Sequence, residues 1–168
     1  MHLKSKIPQE QPYNACRPKN YSLRERFAAD AKHWAIGGRM IKHQGGCHCG
    51  RVKFEVIASA TLNVSECNCS ICSKSGLLGM IVPKDRFTLV SGEDYLTEYT
   101  FDTGDAKHLF CKHCGIKSFY IPRSHPEGIS INARCLDPGT VDKMNIKQFD
   151  GKNWEKYYPN GKADGYSN

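Results

Sequence analysis

The sequence predicts a mainly β domain of antiparallel sheets, and two observations carry that reading. Apolar and polar residues alternate over short runs, and clusters of Gly, Pro, Asp and Ser separate those runs at intervals of about 8–12 residues. No long pattern of 3.6-residue period interrupts them, which argues against alternating strands and helices. The second observation is that most of the cysteines fall in three tight clusters, two of them glycine-flanked pairs, a spacing that in a reduced chain reads as metal binding.

Along the chain, residues 1–20 are polar, contain Pro8, Pro12 and Pro18, and read as a flexible leader. In SLRERFAADAKHWA (22–35), Ser22 is an N-cap, Glu25 follows three residues later and Gly37-Gly38 is a stop, so a short helix is expected within a leader of 1–40. From Gly45 the texture changes. RVKFEVIA (51–58) places Val52, Phe54 and Val56 on one face of a half-buried strand. Further strand-like runs cover 76–82, 86–92, 95–101, 107–111, 117–121 and 128–135, with SGED, DTGD, SHPEG and DPGT as the turns between them. KNWEKYY (152–158) suits a terminal helical turn. The domain is expected over 43–158, followed by a tail at 159–168.

A length of 168 residues suffices for one core and is short for two. No apolar run approaches the ~18–20 residues that cross a bilayer, and MHLKSKIPQEQPYNAC lacks the apolar region of a secretory signal. The expected setting is intracellular, cytosol or nucleus, with no membrane partner and with thiols reduced. The formal charge of +7 invites a nucleic-acid partner, but the basic residues are scattered and read as a solvated surface.

Seven of the nine cysteines form three clusters: Cys47 and Cys49 in GGCHCG, Cys67, Cys69 and Cys72 in CNCSIC, and Cys111 and Cys114 in FCKHCG. Two glycine-flanked pairs make a four-thiolate tetrahedron, so Cys47 and Cys49 pair with Cys111 and Cys114 around a structural zinc. The triplet is left one ligand short of closure. A disulfide within it would close a strained C-x-C ring, and its spacing matches neither common ferredoxin pattern. A closed second zinc completed by Cys135, Cys16 or a histidine stays open. The favoured reading is a three-thiolate zinc with a free position, the mark of a catalytic site. Two zincs and seven bound thiolates bring the formal charge to about +4. His48 and His113 read as spacers within the cysteine motifs, Cys135 as an ordinary thiol and Asp137 as a turn-former. The H-E-x-x-H of metalloproteases and the paired signature of zinc deaminases are both absent.

A zinc held by three thiolates is a weak Lewis acid for water but binds and deprotonates thiols, so sulfur chemistry on a small electrophile is the expected activity. Lys74, Lys84 and Arg86 lie near the triplet in sequence and are candidates to attract an anionic thiol such as glutathione.

GCHCGRVKFEV, CNCSIC, FCKHCGIKSFY and IPRSHPEG…ARCLDPGTV together resemble the glutathione-dependent formaldehyde-activating enzyme family, and within it the animal centromere protein V branch. The resemblance runs from about Gly45 to Tyr157. It implies an Mss4-like β-tent with two zincs, a structural one on Cys47, Cys49, Cys111 and Cys114 and a catalytic one on Cys67, Cys69 and Cys72. It also implies a carbon–sulfur lyase that joins glutathione and formaldehyde reversibly as S-hydroxymethylglutathione. The other reading is a non-catalytic zinc scaffold that binds chromatin, microtubules or a protein partner; it requires a closed second zinc and a contiguous basic or apolar patch.

Overall fold

A computed structural model describes residues 39–161 and Tyr166. The expected helix at 22–35, most of the leader and Cys16 lie outside the described residues. In chain order the elements are β1 (Met40–Gly46), β2 (Lys53–Ser59), β3 (Thr61–Cys67), α1 (Ser70–Ser75), β4 (Leu78–Pro83), β5 (Phe87–Ser91), β6 (Leu96–Tyr99), β7 (Lys107–Cys111), β8 (Phe119–Ile121), β9 (Gly128–Asn132), β10 (Lys143–Phe149) and α2 (Trp154–Tyr157). They form a three-stranded sheet, β1-β2-β5, and a seven-stranded sheet, β10-β3-β4-β9-β8-β7-β6. The fold is mainly β, as the turn spacing implies, and no helix among the described residues is long and apolar enough to cross a membrane.

Three strands have no counterpart among the expected runs. β1 buries only His43 and Gly45, β3 carries only Leu62 and Val64 as its buried pair, and β10 is an edge strand with no buried position. β1 and β10 are sheet edges and β3, though internal, has only two buried apolar positions, so periodicity does not reveal them. β10 also departs from the all-antiparallel expectation. It runs parallel to β3, with Asn145 and Gln148 donating side-chain hydrogen bonds to Asn63 and Glu66 across the pair. The long excursion through β4–β9 brings the chain back on the same heading, as a parallel pair requires. The 128–135 run stops early: β9 ends at Asn132, whose side chain accepts from the Arg134 N–H and turns Ala133–Cys135 into a 3-10 turn.

The two sheets meet over one apolar core. β2 buries Phe54, Val56 and Ala58, while β4 buries Leu78, Met80 and Val82. Three phenylalanines join the layers: Phe54 and Phe87 come from the small sheet and Phe119 from the large one. Their ring centroids lie 5.6 Å, 5.9 Å and 4.8 Å apart. Aromatic clusters at these separations add attraction beyond their buried area. Phe119→Ala empties the middle of that contact, so it is expected to destabilise the domain by about 3–5 kcal/mol, read from the urea midpoint at unchanged slope.

Candidate active site

Cys47 and Cys49 sit in the tight turn of the β1–β2 hairpin; Cys111 ends β7 and Cys114 follows it. The four sulfurs lie within 4.8 Å of one another and could hold a metal ion. The two turns are built alike. The Cys47 N–H donates to Val52 O at 3.0 Å and the Cys111 N–H to Ile116 O at 3.0 Å. Gly50 and Gly115 each adopt φ 74°, with open space where a Cβ would sit, so backbone conformation rather than crowding selects glycine there. Burial pushes the Cys111 thiol up to about 11, while a hydrogen bond from the Arg51 backbone draws Cys49 down to about 6. The cluster fastens the small sheet to the large one.

Cys67 closes β3, Cys69 is the N-cap residue of α1 and Cys72 lies within that helix. Their sulfurs also lie within 4.8 Å of one another and could hold a metal ion. Hydrogen bonds from the Cys67 and Cys72 thiols hold Cys69 far below the usual thiol range, and the same sharing pushes Cys67 and Cys72 up. The segment after β10 packs over this loop. Asn68 N–H donates to Phe149 O at 3.1 Å, its side-chain amide donates to Asp150 at 2.8 Å, and its carbonyl oxygen accepts from Lys152 N–H at 3.0 Å. Gly151 makes the close approach, for a Cβ there would run into Cys67 Sγ.

The triplet faces a cavity of about 770 Å³ on the side of the seven-stranded sheet away from the core. A row of paired residues, His108, Tyr120, Ser130 and Ile81, crosses β7, β8, β9 and β4 and forms its floor. Phe101, Phe149, Trp154 and Tyr158 supply aromatic walls. At the rim the Arg123 guanidinium lies 3.6 Å from the Trp154 ring centroid, donates to Glu155 at 3.1 Å and stands 3.8 Å from Asp102.

A buried pair stands at the floor, with His108 lining the cavity and Lys117 behind it. His108 and Lys117 are each only 3% exposed, and the Lys117 ammonium donates to His108 Nδ1 at 2.8 Å. The imidazole is stacked between Phe101 and Tyr120, at 5.4 Å and 5.1 Å. Lys117 Nζ lies 4.2 Å from the Tyr120 ring centroid, a cation–π contact. With Nδ1 accepting, the imidazole proton sits on Nε2, which has no hydrogen-bond partner among the described residues. Burial first, then the Lys117 charge, draws His108 down to about 4. Burial also lowers Lys117.

The structure thus gathers Cys47, Cys49, Cys111 and Cys114 into one group and Cys67, Cys69 and Cys72 into another, the partition read from spacing. His48, His113 and Cys135 belong to neither. Asp137 precedes the turn at Pro138 and Gly139, and its backbone N–H donates to Gln44 O of β1 at 2.8 Å. Lys74, Lys84 and Arg86 do not line the cavity, and the cations found there are Arg123 and Lys152. Lys84 and Arg86 follow the end of β4 remote from Cys72, so closeness in sequence misleads. His108, Lys117, Tyr120 and Arg123 were not legible as site residues. The available signal was a histidine in the apolar run KHLFC, which could as well have been a core residue.

A β-rich domain with a four-cysteine clip and a three-cysteine cavity is the class that fold and site define. The chain belongs to the glutathione-dependent formaldehyde-activating enzyme family, which matches over residues 42–155. A Halomonas elongata relative carrying that family's name, provisionally assigned, is 28% identical over 122 residues, 66% of this chain and 78% of its own. A crystal structure of a Rhodobacter sphaeroides protein is similar at 32% identity and a TM-score of 0.52, covering 62% of this chain and 99% of that one.

Two measurements test this geometry. Gly151→Ala is expected to displace Cys67, moving the NMR shifts of Cys67, Cys69 and Cys72 while leaving those of Cys47, Cys49, Cys111 and Cys114 in place. His108 titrates near 6.5 when unfolded and near 4 when folded, so the unfolded chain binds more protons between those values. Its contribution to stability is present above pH 6.5 and is lost as pH falls toward 4. Urea midpoints across that range should fall more steeply for the native chain than for His108→Phe.

Proposed function

We propose that this chain is a zinc-dependent carbon–sulfur lyase that joins glutathione and formaldehyde, or a similarly small aldehyde, reversibly as an adduct of the S-hydroxymethylglutathione type. The observation that carries this reading is a triplet of sulfurs, one short of a closed tetrahedral set, on the wall of a cavity large enough for a tripeptide thiol.

The donor sets fit zinc. Four clustered cysteine sulfurs suit a structural ion, with Cys47, Cys49, Cys111 and Cys114 holding it. Three sulfurs beside a glycine that leaves room suit a second, held by Cys67, Cys69 and Cys72. When bound there, zinc would favour the thiolate form of an incoming thiol. The remaining work falls to the chain itself. Phe101, Phe149, Trp154 and Tyr158 exclude water from the adduct, and Lys152 at the mouth attracts glutathione's carboxylates. Arg123 fixes the rim by tying the 101–106 loop to α2. The motif resemblance supports placing the chain in the centromere protein V branch, and its thiol-rich sites suit a reducing compartment, cytosol or nucleus. The open cavity beside the triplet favours the enzyme over a chromatin- or tubulin-binding scaffold, which calls for a closed second site.

Native mass spectrometry of the full chain tests this. The expected result is two zincs and a glutathione adduct, with Cys69→Ser losing the adduct, one zinc and turnover while keeping the fold. Unchanged turnover in Cys69→Ser, or no adduct at millimolar glutathione, would sink the proposal. Stripping the four-cysteine site with a chelator is expected to unfold the domain, seen as loss of its β circular dichroism.

A further inference from the structure

We propose that His108, backed by Lys117, is the hydrogen-bond donor that receives the aldehyde oxygen in this cavity. The inference rests on the lyase reading. Among the described residues the buried His108 Nε2 lacks a hydrogen-bond partner, and His108 lines the cavity. A buried donor without a partner carries a free-energy cost, and such groups persist where a ligand completes them. Several other polar groups on the walls are engaged. Tyr120 hydrogen-bonds with Ser130, Arg123 is held by Glu155 and Asp102, and Ser124 is bonded to His125 at 2.9 Å.

The pairing with Lys117 fixes the tautomer. An ammonium has no lone pair, so Nδ1 must accept from it and Nε2 must carry the hydrogen. Lys117 is absent from the cavity wall, so its charge reaches the cavity through the imidazole it bonds. The ring cannot swing away, because Phe101 and Tyr120 stack on its two faces at interplanar angles of 17° and 18°. Phe101 is 41% exposed and lines the cavity beside His108.

In the forward reaction the glutathione thiolate sulfur forms a bond to the carbonyl carbon. The π pair of the C=O bond moves onto oxygen, which takes the proton from Nε2. Nδ1 takes a proton from the Lys117 ammonium; as product leaves, Nε2 takes a proton from water and Nδ1 returns its own to the lysine amine, which restores the starting tautomer. In the reverse direction the hydroxyl proton returns to Nε2, a proton passes from Nδ1 to the lysine amine, and the C–S pair leaves with sulfur. A preorganised donor in a water-poor site is well suited to the charge that develops on that oxygen.

The test compares the full zinc-loaded chain with His108→Phe, which keeps the aromatic stack, and His108→Gln, which keeps an N–H donor. In the native chain S-hydroxymethylglutathione is expected to bind more tightly than glutathione. His108→Phe should abolish that difference without weakening glutathione itself, and should lower kcat by about 10²–10³-fold. His108→Gln should recover part of both. A native chain that binds no glutathione overturns the lyase reading, and this inference with it. A native chain that binds and turns over while His108→Phe keeps its adduct preference and kcat overturns this inference alone, as does equal loss in both variants with glutathione binding intact.

Discussion

Strand β9 is buried at every position, and that constraint shapes both sides of the molecule. Ile129 and Ile131 face the core between the sheets, where they pack with Met80, Val82 and Phe119. Ser130, between them, faces the cavity. A strand buried on both faces needs cover on both. The small sheet covers one face. α1, the segment after β10 and the loop from Phe101 cover the other, and the space they leave unfilled is the cavity.

The two cysteine clusters follow from that arrangement and differ because of where they lie. The four-cysteine cluster joins two turns from different sheets, each closed by its own backbone hydrogen bond, so its sulfurs converge without help from solvent-facing segments. The triplet comes from one local stretch, the end of β3 and the first turn of α1. A stretch that short reaches around only part of a tetrahedron, and the cavity occupies the remainder. The strap through Asn68, Asp150 and Lys152 holds the loop in place, and Gly151 lets the strap approach without displacing Cys67.

Burying a histidine on the cavity floor with a lysine behind it is expensive in free energy, since both are removed from water. The hydrogen bond between them, the rings around them and the thiolate character of the nearby triplet offset that cost in part.

The sequence by itself indicated the β character, through alternation in 51–58 and the turn clusters, and spacing taken with the family resemblance indicated the division of the seven cysteines into four and three. Both are local signals: a strand's period and a turn's spacing are written within a few residues. It did not reveal β10 running parallel beside β3, because an exposed edge strand carries no burial pattern. Nor did it reveal the His108–Lys117 pair, or show that Arg123 and not Lys84 reaches the cavity. Those depend on which strands become neighbours and which face turns away from the core. Only the tertiary structure decides that, because a β residue's neighbours across the sheet are distant in sequence.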